Sequence, residues 1–122
     1  MSSASNIIIR EANKNDVSII RELAHKIWPS TYDEIVSSDQ LKYMLELIYS
    51  ESSLQKQFDE QHHFLIIEED KQAIAFADYS LLKDDIYKLN KIYALPSEQG
   101  KGIGKLLLND VIKRVKQKGA TS

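Results

Sequence analysis

Three glycines at alternate positions, Gly100, Gly102 and Gly104, lie between an apolar segment and an amphipathic segment of this 122-residue chain. Glycine readily adopts the left-handed backbone conformation, so such a loop can turn successive N–H groups into one concavity. The start of a following helix adds the positive end of its dipole. The spacing therefore predicts an anion site, and phosphate is the anion that suits it.

Two common phosphate loops do not match this stretch. A Walker A loop requires Gly-x-x-x-x-Gly-Lys-Ser/Thr, whereas Leu106 follows Gly104-Lys105 and Gln99 stands five positions before Gly104. The dinucleotide fingerprint requires a glycine where Lys105 stands, with an acidic residue about 20 positions further on. Neither pattern is present.

The elements that must position the loop follow from hydrophobic periodicity. Short β-branched or apolar runs predict strands at residues 7–11, 64–68, 73–77 and 87–95. Apolar residues at three- and four-residue steps predict helices at residues 17–28, 41–48, 54–58 and 103–115. The order β-α-α-α-β-β-β-α predicts a single α/β (α+β) domain.

Local signals predict where these elements begin and end. Strand alternation places the alanines at 73, 75 and 77 on one face, close to a packed neighbour. The helix boundaries rest on capping and breaking residues: Asp16 as first N-cap, Pro29 as the end of that helix, capping boxes at Ser37/Gln40 and Ser52/Gln55, and Gly119 after the last helix.

The pattern Gln99-x-x-Gly102-x-Gly104, directly after Tyr93-Ala94-Leu95-Pro96, resembles motif A of the GCN5-related N-acetyltransferase (GNAT) superfamily. The resemblance extends over the flanking strand and helix and, more loosely, over the upstream element order. It covers essentially the whole chain. It implies the GNAT fold, a mixed central sheet flanked by helices, and transfer of the acetyl group of acetyl-CoA to a primary amine of a small molecule or peptide.

The resemblance also implies which residues bind acetyl-CoA. In the family the motif A strand is bulged and splays from its neighbour, its edge holds the pantetheine arm, and the loop holds the pyrophosphate mainly through its main chain. An N–H near Ala94 would face the thioester oxygen. The implied cofactor-binding residues are Ile92, Tyr93, Ala94, Gln99, Gly100, Lys101, Gly102, Ile103, Gly104 and Lys105.

The acceptor side is less defined by the sequence. Trp28 and Tyr32 lie where the family places an acceptor-binding loop, although Trp28 also continues an apolar stripe typical of core. Asp78 is either a substrate carboxylate or a hydrogen-bonded strand acid. No catalytic residue is assigned. No metal site is predicted, since His62-His63 has no neighbouring His or Cys cluster.

In the family a strand, a helix and two more strands usually follow the motif A helix, whereas this sequence stops at Ser122. We therefore expect residues 1–122 to form one GNAT domain truncated after that helix, without its C-terminal strands. Three explanations stay open: a fragment, a partner copy that completes the edge, or a binding remnant. The open edge of the strand at 87–95 favours a homodimer.

Two other function classes stay open beside the enzyme. One is a catalytically incomplete acyl-CoA-binding or regulatory module, and the other, more distant, is a phosphate-binding interaction domain. The formal charge of −2, from 16 basic and 18 acidic residues, gives no support to a nucleic-acid partner. The absence of cysteine, of a signal peptide and of any long apolar run predicts a cytoplasmic protein without a membrane partner.

Overall fold

The computed structural model describes residues 6–32 and 34–118. One four-stranded sheet has the order β1-β2-β3-β4, with β1 at Ile7–Glu11, β2 at His63–Glu69, β3 at Gln72–Lys83 and β4 at Ile86–Ala94. All three pairings are antiparallel, so the parallel pairing of a mixed sheet is not among the described strands. The predicted α/β (α+β) class is confirmed.

Helices cover both faces of this sheet. They are α1 (Val17–Tyr32), α2 (Ser38–Tyr49), α3 (Glu51–Asp59) and α4 (Ile103–Gln117). The first three pack with Phe64, Ile66 and Phe76 into one core, and α4 packs with Leu65, Ile67 and other residues into a second core. None of the helices within residues 6–32 and 34–118 combines the length and apolar character needed to cross a membrane.

The predicted face of three alanines is wrong at one position. Ala75 and Ala77 belong to the core under α4, whereas Ala73 packs against the core of α1–α3. The cause is a register shift between Ile67 and Glu68, which inserts one extra residue into β3 and reverses the alternation beyond it. Such a bulge leaves no clear signal in the sequence.

The prediction that Pro29 ends the first helix is also wrong, because α1 continues to Tyr32. Proline cannot donate to the carbonyl four residues earlier, yet the last turn has other support. The hydroxyls of Ser30 and Thr31 both donate to the Ile27 carbonyl, at 3.1 and 2.9 Å. Trp28 packs against Tyr32 with ring centroids 4.9 Å apart.

Two of the predicted caps are corrected and one is confirmed. Asn13, not Asp16, is the N-cap of a 3₁₀ turn (Lys14–Asp16) that precedes α1, and Asp16 closes its capping box. Ser50 rather than Ser52 caps α3, because its hydroxyl accepts from Ser53 N–H. The box at residues 37 and 40 is confirmed. The predicted terminator Gly119 lies outside the described residues.

The turn between β2 and β3 gives a stability prediction. Asp70 and Lys71 have φ of +51° and +70°, as a two-residue type I′ turn requires. A Lys71→Gly variant should be more stable by about 0.5–1 kcal/mol, because glycine relieves the left-handed strain. Urea denaturation measures the change.

Lys42→Gly is the matched control, since Lys42 is exposed inside α2. This variant should lose about 0.7 kcal/mol through poorer helix propensity. A loss of stability in both variants would contradict the turn geometry.

Candidate functional site

A cleft of about 500 Å³ opens where the ends of α1 and β4 meet the start of α4. Most of the residues predicted to bind the cosubstrate line it, while Lys101 and Lys105 are exposed outside the lining. The lining residues are Ile27, Thr31, Ile92, Tyr93, Ala94, Glu98, Gln99, Gly100, Gly102, Ile103 and Gly104.

The loop at the floor of this cleft presents unpaired amides. Gly100 and Gly102 have φ of +83° and +80°, a conformation that glycine adopts without the strain other residues meet there. Within the described residues, none of the amides from Gly100 to Lys105 donates to a main-chain carbonyl. Together with the N-terminus of α4 they form a positive concavity that fits a phosphate or diphosphate.

Gly104 serves a different purpose from the other two glycines. Its φ is not positive, and a Cβ built on it meets no atom within 4 Å. Neither backbone strain nor packing therefore requires glycine here. A side chain at Gly104 would instead stand in the cleft that its residue lines.

The end of β4 divides its polar groups between the sheet and the cleft. Leu95 N–H donates to the Ile74 carbonyl at 2.9 Å, and alternation then assigns the main chain of Tyr93 to the ladder with β3. Ile92 and Ala94 turn their main-chain groups to the free edge. The Ala94 carbonyl accepts from Gln99 Nε2 at 3.3 Å, which ties the loop to the strand.

The side chain of Tyr93 points away from that edge, toward α1. Its hydroxyl shares a hydrogen bond with the Tyr32 hydroxyl at 3.2 Å. Burial, with a smaller effect from Tyr32, raises the pKa of Tyr93 well above its ordinary value. Trp28 lies behind this pair, 5% exposed and outside the lining, so its core interpretation agrees with the geometry.

Asp78 is fully buried in β3 and does not line the cleft. Its Oδ2 accepts from Lys91 Nζ at 2.8 Å and from His62 Nδ1 at 2.6 Å. Lys91 also donates to Gln57 Oε1 at 2.7 Å, so the ion pair joins β3, β4 and α3. The geometry is that of a hydrogen-bonded strand acid.

A bulge lies beside this ion pair. Tyr79 pairs with Leu89 and Asp78 with Lys91, which leaves Asn90 as the extra residue of β4. Asn90 Nδ2 donates to Ser80 Oγ at 2.8 Å, which holds the bulge in place. The bulged strand that the family resemblance implies is therefore present. Within the described residues no group of three or more His, Cys, Asp or Glu could hold a metal.

The comparisons with known proteins agree with this geometry. The model of the acetyltransferase (GNAT) family matches residues 19–122. The chain belongs to the GNAT family of acetyltransferases. Its class is thus that of acetyl-CoA-dependent N-acetyltransferases, as the loop motif predicted. No curated protein matches the chain significantly.

Solved structures of this family share the fold. PaiA N-acetyltransferase from Thermoplasma acidophilum, in complex with coenzyme A, is 27% identical with a TM-score of 0.85, over 93% of this chain and 74% of that one. A GNAT family acetyltransferase from Brucella melitensis, in complex with acetyl-CoA, is 21% identical with a TM-score of 0.70, over 94% and 71%.

A third structure carries an acetylated product. N-acetylglutamate synthase from Neisseria gonorrhoeae, complexed with coenzyme A and N-acetyl-glutamate, is 21% identical with a TM-score of 0.67. The match covers 98% of this chain and 24% of that one.

Sequence reasoning missed three lining residues, Ile27, Thr31 and Glu98. The sequence pattern places Ile27 on the buried face of the first helix. It places Thr31 after the predicted end of that helix at Pro29. A prediction that the first helix continues past Pro29 would have placed both residues on the helix end that approaches the loop. Glu98 precedes Gln99 of the motif, and no sequence signal distinguished it from a solvated loop acid.

The ion pair of Asp78 gives a stability prediction. Asp78→Asn should cost about 3 kcal/mol of unfolding free energy, because Lys91 keeps its charge in a mostly buried place without a counterion. Glu68→Gln is the matched control on β2. Its partner Arg10 is partly exposed, so we expect about 1 kcal/mol or less. Equal losses by chemical denaturation would contradict this assignment.

The open space at Gly104 gives a prediction in which stability and binding change in opposite directions. Gly104→Ala should stabilise α4 by about 0.5 kcal/mol, because alanine is the better helix former. The same methyl group should weaken acetyl-CoA binding about tenfold, because it enters the cleft. Thermal unfolding and isothermal titration measure the two effects. Unchanged affinity would show that the ligand does not approach Gly104.

Proposed function

We propose that this protein transfers the acetyl group of acetyl-CoA to a primary amine of a small molecule or peptide by direct attack of the amine. The cleft beside β4 is the proposed cosubstrate site. The observation that carries this proposal is the set of unpaired amides from Gly100 to Lys105 at the start of α4. Their donors match the diphosphate of coenzyme A in number and charge.

The loop would bind the diphosphate, and the exposed Lys101 and Lys105 would add positive charge at its rim. Lys101 Nζ already lies 3.6 Å from Glu98 Oε1, and the Glu98 side chain is 12% exposed, so the lysine partly offsets this negative charge in the cleft. Anion binding here depends mainly on the main chain. Single lysine substitutions should therefore weaken it less than a blocked loop.

The free edge of β4 would hold the pantetheine arm, as an added strand pairs with a sheet edge. Ile92 and Ala94 direct their main-chain groups to this edge, which supports them as the pairing residues. The Ala94 N–H would then donate to the thioester oxygen and stabilise the charge that develops there. The Gln99 side-chain amide donates to the Ala94 carbonyl, which lies in the following peptide unit, and so ties the loop to the end of the strand.

The end of α1 would form one wall of the acceptor site. Tyr32 supplies a half-buried hydroxyl there, and Trp28 supports its ring from the core. In this proposal Asp78 does not contact the acceptor. It holds Lys91 and thereby helps to position β4. A primary amine has a pKa near that of lysine, about 10.4, so it must lose a proton before attack.

The proposal covers residues 1–122 as one GNAT domain that works in the cytoplasm. It includes a homodimer that covers the β4 edge ahead of Ile92, so that Ile92 and Ala94 stay free for the pantetheine arm. The free edge and an apolar groove of about 150 Å³ between β4 and α4 support this dimer. A monodisperse monomer by light scattering at high protein concentration would contradict the dimer and leave the chemistry untouched.

A ligand-dependent melting series tests the binding step. Acetyl-CoA at 100 times its Kd should raise the melting temperature by about 10 °C, because it binds the folded state alone. Gly102→Val should abolish this increase. Asp84→Val is the matched control, since Asp84 has a φ of +50° in the turn between β3 and β4. It should destabilise the protein yet keep the full ligand shift.

Thiol release then separates an enzyme from a binding module. The assay uses acetyl-CoA with glutamate, glucosamine, 1,3-diaminopropane and the dipeptide alanyl-glycine as acceptors. Release above the rate in water supports the transferase. Binding without release for any acceptor would support the catalytically incomplete module, and absence of binding would contradict both.

A further inference from the structure

We propose that the hydroxyls of Tyr93 and Tyr32 form a two-member proton relay that carries the proton of the acceptor amine to solvent during acetyl transfer. The inference rests on the proposed function and names a catalytic residue for it. Tyr93 is the member that contacts the amine. Tyr32 acts through Tyr93.

The position of Tyr93 connects the two sides of the proposed reaction. Its neighbours Ile92 and Ala94 face the free edge, where the thioester would lie, while its own main chain belongs to the ladder. Its side chain extends across the core side of β4 to the last turn of α1. A group that attacks the thioester from the α1 side therefore arrives within reach of this hydroxyl.

The two hydroxyls can make more hydrogen bonds than the one that joins them. Each phenol hydroxyl has one proton and can also accept. The bond between Tyr32 and Tyr93, at 3.2 Å, consumes one of the two protons. Within the described residues neither hydroxyl has a second partner. When Tyr93 is the donor of this bond, an acceptor position on Tyr93 and the proton of Tyr32 stay available, as a relay directed toward Tyr32 requires.

Packing explains the aromatic rings but not the hydroxyls. The Tyr93 ring packs on Trp28 and Phe76, with centroids 5.9 and 5.7 Å apart, and a phenylalanine would make the same contacts. Two phenylalanines would also avoid placing polar atoms in a half-buried site. The paired hydroxyls therefore point to a chemical role.

The burial of Tyr93 favours transfer of a proton through the pair over formation of a tyrosinate. Burial raises the pKa of Tyr93, so a tyrosinate is not formed at neutral pH. A neutral pair can still accept a proton on one oxygen as it releases another. The two transfers must then be concerted, and both tyrosines end neutral.

The step balances as follows. The amine nitrogen forms a bond to the carbonyl carbon, the C–S bond breaks, and its electron pair leaves on the thiolate of coenzyme A. The N–H proton passes to the Tyr93 oxygen, the Tyr93 proton passes to the Tyr32 oxygen, and the Tyr32 proton passes to water. The products are an N-acetyl amine, coenzyme A thiolate and one solvated proton.

Three variants and one matched control test the relay. Tyr93→Phe and Tyr32→Phe should each lower kcat for thiol release about 100-fold, within the range of general acid–base effects. The double variant Tyr32→Phe/Tyr93→Phe should be no slower than the slower single variant, because the loss of one hydroxyl already interrupts a relay in series. Tyr43→Phe, at an exposed position on α2, should keep the wild-type rate. The rate is measured with whichever acceptor of the panel reacts fastest.

Acetyl-CoA affinity separates this inference from the proposed function. All four variants should bind acetyl-CoA with the wild-type Kd, since the hydroxyls do not contact the diphosphate loop. Failure of the wild-type protein to bind acetyl-CoA, or to release thiol with any acceptor or with water, contradicts the proposed function and the relay with it. If the tyrosine variants bind acetyl-CoA normally and release thiol at rates within twofold of wild type, the relay alone is overturned. It is also overturned if the loss of rate in the double variant equals the product of the two single losses.

A measurement on the wild-type protein covers the case in which a variant misfolds. Rates of thiol release in mixtures of light and heavy water should fall along a curve as the deuterium fraction rises, because several protons move in one step. The Tyr93→Phe variant, where its circular dichroism matches the wild type, should give a straight line. A straight line for the wild type would overturn the relay.

Discussion

The rest of the site depends on a row of main-chain amides that have no acceptor among the described residues. From Gly100 to Lys105 the chain turns through two left-handed glycines and enters α4, and four of these six residues line one cleft. Burial of such donors without an acceptor is costly, and they are tolerated here because the cleft is open to solvent or to an anion. The proposed diphosphate site rests on this geometry. It therefore depends on local backbone conformation more than on charged side chains.

The strand before the loop has two tasks that conflict unless they are separated. β4 must pair with β3 for stability, yet the proposed pairing with the pantetheine arm requires free polar groups on the same strand. Antiparallel alternation resolves this, since Tyr93 pairs with Phe76 while Ile92 and Ala94 face outward. The bulge at Asn90 and the ion pair of Lys91 with Asp78 hold the strand at this register. A one-residue slip would exchange the free and the paired groups.

The proposed cosubstrate and acceptor sites use different parts of the chain. The family model matches residues 19–122, which include the loop and α4. The proposed acceptor wall is the last turn of α1, where Thr31 and Tyr32 lie beyond Pro29. This turn exists because two hydroxyls and the Trp28 ring compensate for the missing proline donor. The proposed acceptor wall thus depends on how α1 ends.

The sequence by itself determined the element order, the apolar faces of the helices and the loop, because periodicity and glycine spacing are local properties. Most of the residues that it predicted to bind the cosubstrate, between Ile92 and Lys105, line one cleft. Only the tertiary structure decided which side of β4 each group faces, where α1 ends, and that Asp78 is an anchor for Lys91. The bulge of β3 shifts the register without a sequence signal, and the contact of Tyr32 with Tyr93 spans 61 positions. Such relations arise from packing between distant segments, so no local pattern could contain them.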